Sequence, residues 1–93
     1  MQPYRIIDCH VHDHLELACI RGYQLLIETS AGEMRATAIT LTTQADKSEY
    51  LTVRNEAGEQ AIRLDNIQAI TPLTQGAAFD RVVIAPADRS RED

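Results

Sequence analysis

The chain has 93 residues, a formal net charge of −5 at pH 7 and 44% hydrophobic residues. This length predicts one domain, residues 1–85, with a single modest core, and excludes a second domain. The basic residues are spread along the chain, whereas high-affinity nucleic-acid binding needs several neighbouring cations to neutralise phosphates. The composition therefore argues against direct, tight binding of nucleic acid and favours a basic partner.

The chain contains two cysteines, Cys9 and Cys19, and no secretory signal at its N-terminus. Its longest apolar runs are far shorter than a membrane span. We therefore expect a cytoplasmic protein with reduced thiols and no membrane association.

A helix start signal stands near the N-terminus. Asp13 is followed three residues later by Glu16, which is the spacing of a capping box, where both side chains accept unpaired backbone N–H groups. Gly22 is a stop signal. The pattern predicts a short helix over about 13–21 with Asp13 as its N-cap.

The faces of this helix differ in polarity. Leu15, Ala18 and Cys19 recur at three- and four-residue spacing, so we expect that face to pack on the rest of the chain. His14 and Glu16 are expected to face solvent.

From Tyr23 onward the hydrophobic period changes to two, which is typical of half-buried strands, and short Gly-containing turns separate the runs. The pattern of the second run changes its buried face near Ala38 and Ile39, which predicts a bend or bulge. A tight corner at Asp65 and Asn66 separates two later runs. Strands are predicted over 23–28, 34–43, 50–54, 60–64, a run with Ile67 and Ile70 that ends at Pro72, and 81–84.

These elements predict a mainly β (α+β) fold, with one N-terminal helix packed on a small, closed or nearly closed antiparallel β-barrel of five to six strands. Residues 86–93 have almost no apolar content and are expected to form a disordered tail. The core is predicted to contain Leu25, Ile27, Leu51, Val53, Ile62, Leu64, Ile67 and Val82.

Three histidines, His10, His12 and His14, alternate and raise the question of a metal site. A structural zinc site normally closes with four ligands, and no second ligand cluster with conventional spacing follows. We favour a solvated, partner-facing surface without a metal or cofactor, and a metal-binding regulatory domain stays an alternative.

Catalysis is not expected. Cys9 precedes His10 and His12, but sequence neighbours rarely have the geometry that a nucleophile and its base require. The chain has no phosphate-binding loop and no nucleophile elbow. The sequence therefore predicts a protein that is not an enzyme.

Several segments together resemble one known family. They are DCHVHDHLELAC at 8–19, YQLLIET with its AGE turn, EYLTV and the corner IRLDNIQAI, and they run over about 4–84. This set resembles the Rho-binding antiterminator family, Rof. The most specific part is Cys9, then Asp13-x-Leu-Glu-Leu-Ala-Cys, supported by the later Arg-Leu-Asp-x-Ile corner.

The resemblance implies an Sm-like barrel with an N-terminal helix, and a monomer that binds the transcription terminator Rho. Family members occupy the primary RNA sites of Rho, so that RNA cannot load and termination is inhibited. One departure concerns His10, Val11 and His12, where the family often carries further acids and an aromatic residue. The departure makes this surface less acidic and is expected to alter the partner surface or its pH dependence.

The expected Rho contacts lie on the exposed helix face and on the tip of the loop near residue 47. An Sm-like RNA-binding module is the main alternative, and it would need a basic surface. The residues predicted to bind the partner are His10, His12, Asp13, Glu16, Asp46, Lys47, Ser48 and Glu49.

Overall fold

A computed structural model describes residues 9–84 of the chain. Within these residues one helix precedes an antiparallel six-stranded sheet, which confirms the predicted mainly β, α+β architecture. The predicted tail, 86–93, lies outside the described residues. The elements are α1 (Cys9–Arg21), β1 (Gln24–Thr29), β2 (Gly32–Thr43), β3 (Glu49–Asn55), β4 (Gly58–Arg63), a 3₁₀ turn (Leu64–Asn66), β5 (Ile67–Pro72) and β6 (Val82–Val83).

The start of α1 differs from the prediction. The helix begins at Cys9, about one turn earlier than expected, so Asp13 is not its N-cap. Val11 is half-buried, Leu15 and Ala18 are buried, and the three share one face of the helix. Val11 packs against the core, and this tertiary contact stabilises the additional turn. Its contribution exceeds that of a cap at Asp13, which would start the helix later.

The end of α1 agrees with the prediction. Gly22 adopts a φ of 65°, the left-handed conformation that a glycine reaches without strain. The backbone N–H of Tyr23 donates to the carbonyl of Ala18 at 2.9 Å, and that of Gly22 donates to Cys19 at 3.2 Å. These two bonds form a Schellman motif, which turns the chain directly into β1.

The strands follow the order β4-β3-β2-β1-β5-β6. In a flat sheet β4 and β5 would lie four strand spacings apart, about 19 Å. Only the short turn between Arg63 and Ile67 joins them, and four residues span at most about 14 Å. The sheet must therefore curl, although no strand pairing within residues 9–84 closes it into the predicted barrel.

Two irregularities in pairing accompany the curl. The register between β2 and β3 shifts between Ala38 and Thr40, which confirms the predicted bend in this strand. A second shift lies between Glu28 and Thr29, where β1 pairs with β5. Such bulges increase the local twist of a sheet and allow a long strand such as β2 to bend around a small core.

The core lies between the concave face of the sheet and α1. Val82 is half-buried rather than buried, because β6 is a two-residue strand at the edge of the sheet. The other residues predicted for the core are buried, namely Leu25, Ile27, Leu51, Val53, Ile62, Leu64 and Ile67. They are joined by Leu15, Ala18, Tyr23, Ala36, Ala38, Ile70 and Ile84.

Candidate functional site

The outer face of α1 carries three of the predicted contact residues. Burial of Leu15 and Ala18 fixes the rotation of the helix about its axis. Asp13 and Glu16 are consequently exposed, and their three-residue spacing places them on neighbouring turns of one face. His12 is half-buried at the border between this face and the sheet.

His12 connects the helix to the start of β3. Its Nδ1 lies 3.4 Å from Oε2 of Glu16, one turn further along α1. Its Nε2 lies 3.2 Å from Oε2 of Glu49, the first residue of β3. We call these three side chains the His12 bridge. The bridge lies where the helix meets the end of the loop that precedes β3.

The loop before β3 is held by its own hydrogen bonds. The backbone N–H of Gln44 donates to the carbonyl of Ser48 at 2.8 Å, and that of Lys47 donates to the carbonyl of Gln44 at 2.9 Å. Oδ1 of Asp46 accepts the backbone N–H of Ser48 at 3.0 Å and its hydroxyl at 2.6 Å. The loop therefore has a defined shape that does not depend on a partner.

These bonds also set the charge at the loop tip. The hydroxyl of Ser48, and then its backbone N–H, hold the pKa of Asp46 below its ordinary value, and the positive charge of Arg63 acts in the same direction. Lys47 has a φ of 74°, which a residue other than glycine adopts infrequently. Asp46 and Lys47 are both exposed, so the tip presents one carboxylate and one ammonium group.

The remaining predicted residues are placed differently. His10 is exposed in the first turn of α1. Ser48 is 2% exposed, and its hydroxyl is bonded to Asp46, so in this structure it shapes the loop. His14 was expected to face solvent, but it is half-buried, with its ring centroid 4.7 Å from that of Phe79. An aromatic partner far along the chain has no local sequence signal.

A shallow hollow beside the loop was missed by the sequence analysis. It has a volume of about 530 Å³. Tyr50 is half-buried at its wall. The alternation of β3 contains the signal, because Leu51 and Val53 point inward and Tyr50, which precedes Leu51, must then point outward. The lining residues are Gln44, Ala45, Asp46, Ser48, Tyr50 and Ala61.

Residues 9–84 were expected to hold neither a metal site nor a membrane span. No group of three or more His, Cys, Asp or Glu side chains in this part of the chain is arranged to hold a metal ion. No helix in the same range is long and apolar enough to cross a membrane. Cys19 is half-buried, and burial, followed by the charge of Glu16, raises the pKa of its thiol to about 11.

The fold has a counterpart among solved structures. The chain is similar to YaeO from Vibrio cholerae O395, solved bound to magnesium, with a TM-score of 0.68 and 19% sequence identity. The match covers 76% of this chain and 94% of that one. At this identity the likeness shows a shared fold. No curated protein matches the chain.

The sequence also matches a family model. The model describes modulators of Rho-dependent transcription termination and covers residues 6–84, which include every predicted contact residue. The match confirms the resemblance that the N-terminal helix and the later corner suggested. The chain therefore belongs to the ROF family, the modulators of Rho-dependent transcription termination.

Proposed function

We propose that this protein binds Rho directly and prevents RNA from loading at its primary RNA-binding sites, so that termination is inhibited. The proposed contact is an acidic surface formed by Asp13 and Glu16 of α1, Asp46 of the loop and Glu49 of β3. The His12 bridge is the observation that carries the proposal. It joins carboxylates from two distant segments into one surface.

The chemistry of this surface suits a site that normally binds RNA. Such a site presents arginine and lysine side chains to phosphates, and carboxylates form charge-assisted hydrogen bonds with the same cations. A chain with a net charge of −5 is also attracted to a basic groove over a distance, which speeds association at low salt.

Rigidity of the scaffold supports the same function. The helix is anchored by buried Leu15 and Ala18, and the loop is held by the bonds between Asp46 and Ser48. Binding therefore requires little ordering of the backbone, and less of the interaction free energy is lost to conformational entropy.

The test is charge reversal on the helix. Asp13→Arg and Glu16→Arg place positive charge against the cations of Rho, and such like-charge contacts cost several kcal/mol at an interface. Neither change removes an N-cap, because α1 begins at Cys9. Glu56→Arg is the matched control, since Glu56 is exposed and lies beyond the end of β3 opposite to Glu49.

Binding to Rho should be measured by pull-down and titration, and RNA loading by competition with a labelled unstructured RNA. We expect both helix variants to lose binding and competition, and the Glu56 variant to behave as the parent. Binding should also weaken as salt rises. The proposal fails if the folded helix variants bind Rho and block RNA as well as the parent does.

The same titration should be run with RNA and no Rho. We expect a Kd weaker than about 10 μM at physiological salt, in the range of nonspecific contacts. A sub-micromolar complex with RNA alone would favour the Sm-like RNA-binding alternative instead.

A further inference from the structure

The ring of His12 lies between two carboxylates of the acidic surface. Nδ1 and Nε2 face Glu16 and Glu49 at 3.4 and 3.2 Å, respectively. The side chain of His12 is 28% exposed and that of Glu49 is 23% exposed. Water therefore screens the contact between α1 and β3 less than it screens an ion pair at a fully exposed position.

The number of protons on the ring decides how many of these contacts are favourable. A neutral imidazole has one N–H donor and one bare nitrogen, and a bare nitrogen facing a carboxylate is an acceptor facing an acceptor. An imidazolium donates from both nitrogens and neutralises part of the negative charge of Glu16 and Glu49. Protonation thus changes the charge that this surface presents.

Carboxylates of two elements lie at ion-pair distance from the ring. Glu16 comes from its own helix and Glu49 from β3. The end of β2 beside Glu49 contributes Thr43, which has no charge. The other charged or titratable side chains of these elements include His10, Asp13, His14, Cys19 and Arg21 on α1, Glu33 and Arg35 on β2, Asp46 and Lys47 in the loop, and Tyr50 and Arg54 on β3.

We propose that His12 makes Rho binding depend on pH by controlling whether Glu16 and Glu49 are engaged within the protein or available to the cations of Rho. The inference rests on the proposed function, since it concerns the same surface. With the ring protonated, the two carboxylates are occupied by His12, and the surface carries one more positive charge. With the ring neutral, that charge is gone and Rho competes with a weaker internal partner. Binding is therefore stronger at the higher pH.

The test compares the parent with His12→Gln. The Gln side chain keeps an N–H donor near the position of Nε2 and has no titratable proton. The Kd for Rho should be measured between about pH 6 and pH 8 at constant ionic strength. For each protein, the Kd at the lower pH is divided by the Kd at the upper pH, and the ratio for the parent is then divided by the ratio for the variant. We expect a result of about three, which means tighter binding by the parent at the upper pH, since one partly exposed charge changes. That division removes the titration of Rho itself.

The matched control is His14→Gln. His14 is a histidine of the same helix that packs on Phe79, and its replacement should leave the pH dependence of the parent unchanged. Thermal denaturation establishes that each variant is folded. If His12→Gln fails to fold, His12→Asn replaces it, with its amide near the position of Nδ1.

Two failures are distinguishable. If the parent and the His12 variant both bind Rho with the same pH dependence, or the corrected dependence has the opposite sign, this inference is wrong and the proposed function stands. If the folded parent does not bind Rho at any pH in the range, both are wrong.

Discussion

Replacement of Leu64 by alanine should destabilise the protein substantially. Leu64 is 0% exposed and is the first residue of the 3₁₀ turn between β4 and β5. The backbone on both sides of this turn is held by strand pairing, because β4 pairs with β3 and β5 pairs with β1. The substitution removes three carbon atoms from a fully enclosed position.

The expected loss in free energy of unfolding is about 2–5 kcal/mol, which combines the lost transfer free energy with the cavity left behind. Because the paired strands limit local collapse, we expect about 3 kcal/mol or more. For a domain of this size each kcal/mol lowers Tm by about 4–8 °C, so about 3 kcal/mol corresponds to a decrease of about 12–24 °C.

Urea unfolding followed by far-UV circular dichroism measures this loss. Ile20→Ala is the matched control, because it also shortens a large aliphatic side chain to alanine, and Ile20 is 79% exposed on α1. The control should change stability by less than about 0.5 kcal/mol. A loss below about 1 kcal/mol for Leu64→Ala, or equal losses for the two variants, would refute the assignment of the core.

Three further predictions concern the surface. In a Cys9→Ser background, alkylation of Cys19 at about pH 8 should be at least about tenfold slower in the folded protein than in urea. The reason is that burial and the charge of Glu16 raise the pKa of its thiol to about 11, and equal rates would contradict this. The hydrogen bonds of Arg81 hold the pKa of Glu28 below its ordinary value of 4.5, so the pair stabilises the fold above that pH and the contribution disappears as pH falls through the lowered pKa. The urea midpoint of the parent should therefore fall more on acidification than that of Glu28→Gln, and equal decreases would argue against the pair. A chelator should leave Tm unchanged, whereas a shift, or a stoichiometric metal in untagged protein, would reveal a native metal site.

Local periodicity was sufficient to predict most of the sheet. Leu25, Ile27, Leu51 and Val53 stand at every second position of their strands and are buried, because neighbouring side chains of a strand point to opposite faces. Gly22 ends the helix because its positive φ suits a residue without a Cβ atom. These signals act over a few residues and can be read from the chain itself.

The start of the helix could not be predicted in the same way. The spacing of Asp13 and Glu16 is a capping signal, but the gain from such a cap is only about 1 kcal/mol. Packing of Val11 on the core outweighs it, and most of that core comes from strands that lie further along the chain. Burial of the helix then decided the environment of His14, which packs on Phe79.

The sequence by itself determined the family, the strand pattern and which residue types make the surface acidic. Only the tertiary structure decided that His12 stands between Glu16 and Glu49, and that the hydroxyl of Ser48 is bonded to Asp46 within the loop. The meeting of α1 with β3 depends on the rotation of the helix and on the register and curl of the sheet. Those quantities are set by packing among residues far apart in the chain, where local propensity carries no information.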